Sequence, residues 1–174
     1  MFLRKGVRIQ PLLVGGSQEE GRRAGTENLL GIVGMGKAAD LAKERSPEHQ
    51  TRLISLRDRL IHGILKRLPQ AVVNGHPTER LPGHVSVGFP GADAETLVLA
   101  LDLEGVAVGI GSACTSRTLK ASHVLKAMGV EESLALGTIT LTLGFSTTAE
   151  EIDRVLEILP RVVSKQRREV LVET

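Results

Sequence analysis

Apolar and polar positions alternate at Val85, Val87 and Phe89, and again at Ile139, Leu141 and Leu143. A period of two predicts half-buried strands, the second presenting Thr138, Thr140 and Thr142 on its other face. Leu53, Leu56, Leu60, Ile64 and Leu68 instead recur at helical spacing with Arg and Asp between them. That stripe predicts a helix of about 20 residues, ended by Pro69. Leu29, Ile32, Val33 and Gly36 share the spacing behind Thr26, a candidate N-cap, and Ser46-Pro47-Glu48 predicts a break between the two helices. Gly31, Gly34 and Gly36 each cost that first helix about 1 kcal/mol relative to Ala. Close packing against another backbone would offset this.

The remaining elements are shorter. Residues 7–14 look like a strand that runs into an aperiodic glycine- and charge-rich loop, Gly15 to Gly25. Residues 71–73 can form a short strand before the Asn74-Gly75 turn signal. Residues 93–103 read as a helix, 106–110 as a short buried strand and 122–128 as a short helix. The last helix starts at Thr147-Thr148, where Glu150 or Glu151 can close a capping box. It buries Ile152, Val155, Leu156 and Leu159. From about residue 70 the order suits a small α/β layer, with helices over a short, partly antiparallel sheet. The segment before it has no sheet of its own to join and reads as the end of something larger.

Composition removes several functions. Aromatic residues make up 2% of the 174 positions, with no Trp or Tyr, so stacking platforms for nucleic acid are essentially unavailable. A net charge of +2, with acids and bases interspersed, implies solvated helix faces and no polyanionic partner. No apolar run approaches the roughly 18 residues of a membrane span, and the start does not read as a signal peptide. One cysteine excludes an internal disulfide and a multi-cysteine metal site, and the expected setting is reducing and cytoplasmic. His49, His62, His76 and His84 are scattered and suggest no metal site.

Two stretches carry candidate chemistry. Gly15 to Asn28 could form an anion site at a helix start, with Thr26 supplying a hydroxyl, Gly25 close approach and Arg23 charge; plain helix capping explains the same residues. Gly111-Ser112-Ala113-Cys114-Thr115-Ser116 surrounds the cysteine with small residues that leave it unshielded. A reactive thiol needs that freedom, and the residues alone leave a reactive and a buried cysteine equally open.

Both stretches closely resemble motifs of the cysteine desulfurases: Gly15 to Asn28 matches the one after the cofactor-lysine region, and Gly111 to Ser116 the active-site cysteine loop. Ser122-His123-Val124-Leu125 and residues 144–153 continue in register. The resemblance covers essentially the whole chain. It implies the C-terminal part of a fold-type I pyridoxal-phosphate enzyme: an α/β small domain at 46–174 carrying the cysteine loop, and a tail of the large, cofactor-binding domain at 1–45. It implies L-cysteine as substrate, L-alanine as product and Cys114 as nucleophile and persulfide carrier. The same sulfur would be the contact to an iron–sulfur centre, and a scaffold or sulfur-acceptor protein would be the partner. Thr26 matches the threonine that reaches a partner subunit's cofactor phosphate, which implies a homodimer. Arg23 would brace its loop.

Two departures stand out. Members run to about twice this length, and the lysine, histidine and aspartate that hold the cofactor ring have no counterpart; Lys5 does not match the lysine. Thr140 stands where the family places an arginine for the substrate carboxylate, with Arg117 the nearest candidate substitute, and Lys120-Ala121 replaces an acidic-proline pair. His123, at a helix start, reads as a capping or surface residue. The chain alone is then expected to be inactive. A non-catalytic persulfide carrier, an accessory subunit of a dimer and an inactive fragment are the rival readings.

Overall fold

The computed structural model describes residues 2–111 and 121–172, the side chains of 45–48 and 167–172 excepted. The chain divides into two compact units, Met1–Ser46 and Pro47–Thr174.

No described residue of the first unit is buried. The strand expected at 7–14 is absent; those residues are irregular, because among the described residues no neighbouring strand offers a ladder to their N–H and C=O groups. The glycine-rich loop contains one turn, α1 (Gln18–Gly21), whose Glu19 and Glu20 have φ of 50° and 57°. Left-handed backbone costs about 1–2 kcal/mol per non-glycine residue, so this turn is strained. Helix α2 (Leu29–Arg67) follows, capped by Asn28 and not by Thr26: the Gly31 N–H donates to Asn28 Oδ1 at 2.9 Å. The break expected at Ser46-Pro47-Glu48 does not occur, as α2 covers both predicted helices. Proline's penalty is local, and the helix-forming segments on either side outweigh it. A Cβ placed on Gly34 or Gly36 would meet nothing within 4 Å, so the expected close backbone packing is not made among the described residues.

The second unit is built on a four-stranded sheet. Its strands are β1 (Val72–Val73), β2 (His84–Gly88), β3 (Gly109–Ile110) and β4 (Thr138–Thr142), in the order β1-β2-β4-β3. Every pair is antiparallel, where a partly antiparallel sheet was expected. Register places Val85 opposite Leu141 and Ser86 opposite Thr140. One face buries Val85, Val87, Ile139 and Leu141 in a single core with the Leu53–Leu68 stripe of α2. That core also takes in Leu97 and Leu101 of α3 (Ala94–Leu103) and Leu156, Leu159 and Val163 of α6 (Ala149–Val172). Asp93 caps α3, accepting from the Thr96 N–H at 2.8 Å.

The opposite face is covered too. Two short helices, α4 (His123–Ala127) and α5 (Glu132–Leu136), lie between β3 and β4 in sequence. Thr138 Oγ1 donates to the Leu134 carbonyl at 2.8 Å, and Ser86 is buried. The half-buried β2 expected from alternation is therefore buried on both faces. Helix α5 has no sequence signal strong enough to predict it, being five residues held by tertiary contact. The expected strand at 106–110 shrinks to Gly109–Ile110.

At the start of α6 the capping box is complete. The Thr148 N–H donates to Glu151 Oε2 at 2.9 Å and the Glu151 N–H to Thr148 Oγ1 at 3.3 Å. Thr148→Ala is expected to cost about 1 kcal/mol, read as a lower urea midpoint. Among the described residues no helix is long and apolar enough to cross a membrane.

Candidate functional site

Thr140 and Ser86 are cross-strand neighbours on the face of the sheet turned away from the main core. Pairing small hydroxylated residues there, with α4 opposite, leaves a cavity of about 360 Å³. Ser86, Thr140 and Ser122 supply hydroxyls to it, and Val124, Leu125 and Met128 an apolar wall. The Asn74 amide is buried and donates to Ser86 Oγ at 3.2 Å, which ties the turn after β1 to the cavity floor.

The cationic side comes from the segment between β1 and β2. Arg80 lines the cavity and holds that segment together: Nε donates to the His76 carbonyl at 2.7 Å and an Nη2 N–H to the Asn74 carbonyl at 2.8 Å. Burial, followed by repulsion from Arg57, pushes the Arg80 pKa below its ordinary value, and Asp58 opposes the shift. Arg57 is itself buried and paired with Asp58 at 2.8 Å. His76 also lines the cavity. Its Nδ1 accepts from the Glu79 N–H at 2.8 Å and the Thr78 N–H at 3.2 Å, which leaves the ring proton on Nε2. His84 and the exposed Glu79 complete the polar lining.

Gly111 and Ser122 line the same cavity, and a Cβ built on Gly111 would stand 3.6 Å from Ser122 Cβ. The chain therefore leaves at Gly111 and returns at Ser122 to one place. The connecting stretch holds Cys114, Arg117 and Lys120, which lie outside the described residues, as does the proposed iron–sulfur contact through Cys114. Ala121, after Lys120, is buried.

Thr26 is exposed in the first unit, beside Gly25 at φ +89°. Arg23 folds back over that glycine, with Nη2 3.6 Å from where a Cβ would stand. His123 is exposed at the start of α4. Sequence reasoning did not single out Arg80, Asn74 or His76 as a group; the Asn74-Gly75 turn was the one available signal.

The aminotransferase class-V family profile matches residues 5–155. The chain belongs to that family. Within it, the chain is 50% identical over 167 residues to a cysteine desulfurase of Methanosarcina thermophila, covering 96% of this chain and 41% of that protein. A cysteine desulfurase of Archaeoglobus fulgidus is 47% identical, with 96% and 44% covered. A solved NifS-like protein superposes with a TM-score of 0.81 at 35% identity, over 94% of this chain and 41% of that one. A NifS-like protein from Rickettsia africae gives 0.78 at 29% identity, over 91% and 41%. The fold is thus the α/β fold of these enzymes, and the chain spans about two-fifths of the length of the relatives it matches.

Class-V aminotransferases use pyridoxal phosphate, which a lysine amine holds as an imine and which serves as an electron sink. No lysine lines the described cavity. Lys5, Lys37, Lys43, Lys66 and Lys165 are exposed, and Lys126 pairs with Glu132. The described residues therefore do not fit the cofactor by themselves.

Proposed function

We propose that this chain is the C-terminal portion of a cysteine desulfurase, in which Cys114 takes sulfur from L-cysteine. The return of the chain to one cavity, at Gly111 and Ser122, is the observation that carries this reading. Cys114 follows Gly111, which lines the cavity, by three positions in the sequence. In this reading the thiol acts on a small molecule bound in the cavity.

In the transfer, the Cys114 thiolate attacks the sulfur of L-cysteine. A sulfur–sulfur bond forms and the substrate's carbon–sulfur bond breaks. The electron pair of that bond stays on carbon, which takes a proton to become L-alanine, and Cys114 is left as a persulfide. The sulfur then passes to an acceptor or scaffold protein serving iron–sulfur assembly or tRNA thiolation. Residues 1–45 act as the tail of the cofactor-binding domain and 46–174 as the small domain of a cytoplasmic homodimer, with Thr26 directed to the partner's cofactor phosphate. Support for the first assignment comes from the exposed apolar residues of the first unit, Leu12 and Leu30 among them, which have no core of their own. Among the described residues no lysine lines the cavity, which favours a second reading for the isolated chain, a persulfide carrier loaded by a complete desulfurase.

The test is to incubate the chain with L-cysteine and a complete desulfurase and to map the product by mass spectrometry. One added sulfur atom on Cys114 is expected. An unmodified Cys114 under conditions where the desulfurase releases alanine would overturn the proposal.

A further inference from the structure

The cavity beside Thr140 holds an unspent cationic charge. Two of the five guanidinium N–H donors of Arg80 are committed to backbone carbonyls. Among the described residues Arg80 forms no ion pair. Its charge is half-buried, and Arg57, the cation that repels it, already has Asp58 as a partner. A cation so placed gains from an anion that enters the cavity, because water screens the attraction less there than at the surface.

We propose that Arg80 is the carboxylate-binding residue of this cavity, with His76 as a second donor, and that the ligand is a small amino acid. This rests on the reading of the chain as part of a desulfurase and names how its substrate would be held. One guanidinium and one imidazole N–H match a monoanion. The exposed Glu79 at the lining repels a dianion such as phosphate and suits an amino acid's ammonium group. The apolar wall of Val124, Leu125 and Met128 suits a short side chain, and about 360 Å³ lies at the small end of ligand sites. Thr140 then contributes space and a hydroxyl, and the cation reaches the pocket from the neighbouring loop instead of from β4.

Backbone-amide NMR titration of the chain tests this, with L-alanine as an unreactive probe, L-alaninamide as the same probe without its carboxylate, and inorganic phosphate. L-Alanine should shift Gly111, Ser122 and Thr140 saturably, and L-alaninamide should not. Arg80→Ala should weaken L-alanine binding by about 10- to 100-fold, the usual loss of a hydrogen bond to a charged group. Thr140→Arg in that background should restore binding. Arg80→Ala also frees two backbone carbonyls, so Thr140→Glu serves as a second variant: it leaves the Arg80 bonds intact, supplies an internal carboxylate and should abolish binding. Equal binding by wild type and both variants, no saturable shift with L-alanine, or tighter binding of phosphate would each overturn the assignment. L-Alanine binding and persulfide formation are read separately on the wild-type chain. Absent persulfide with intact L-alanine binding would therefore fault the sulfur transfer, and intact persulfide without Arg80 dependence would fault the pocket.

Discussion

Cys114→Ser is expected to abolish sulfur loading completely while leaving the fold and its stability unchanged. The substitution exchanges one sulfur for one oxygen in the only cysteine of the chain, so no other thiol can take its place. A hydroxyl is far less acidic than a thiol and is a poor nucleophile toward sulfur at neutral pH. The measurement is mass spectrometry of wild type and variant after incubation with L-cysteine and a complete desulfurase, with thermal melting of both as the structural control. The loss should be total, unlike that of Arg80→Ala, because one variant removes the atom that forms the new bond and the other weakens the grip on the donor. Sulfur on the serine variant would mean that another group accepts it, and the role given to Cys114 would be wrong.

Phe89→Ala is expected to destabilise the second unit by about 3–5 kcal/mol, the usual cost of emptying a fully buried phenylalanine site. Phe89 is 0% exposed, directly after β2, and its backbone is fixed on both sides. Its N–H donates to the Gly137 carbonyl at 3.0 Å, and its carbonyl accepts from the Ala92 N–H at 3.1 Å. That backbone cannot move inward to fill the vacated volume, so a cavity remains. Against a typical domain stability of about 5–15 kcal/mol, the loss removes a large share of the total. Urea unfolding should show a much lower midpoint with little change in slope. Leu103→Ala is the control: Leu103 ends α3 with its side chain 90% exposed, and truncation there should stay within about 0.5 kcal/mol. Similar midpoints for the two variants would show that Phe89 does not belong to the core.

The alternation at Val85–Phe89 and Ile139–Leu143 and the helical stripe at Leu53–Leu68 sufficed to place β2, β4 and the core-facing half of α2. These periods follow from backbone geometry, and each segment has one apolar face that must be buried. The Thr148–Glu151 box was legible for the same reason, since its hydrogen bonds close within four residues. Elements whose hydrogen bonds or packing lie elsewhere were not legible. Residues 7–14 have strand-like composition but no described ladder, and Pro47 carries a break signal inside a helix that continues.

The candidate site divides along the same line. The motifs around Thr26 and Cys114 could be read from residue order alone, because a motif is a local string. Arg80, His76, Ser86, Ser122 and Thr140 are far apart in that string. Antiparallel pairing of β2 with β4 sets Ser86 beside Thr140, and the return of the chain at Ser122 brings Gly111 to the same cavity. Sequence by itself determined which segments must bury a face and which stretch carries the thiol. Only the tertiary structure decided which charge meets that cavity, because electrostatic and steric contact depend on distance in space and not on separation along the chain.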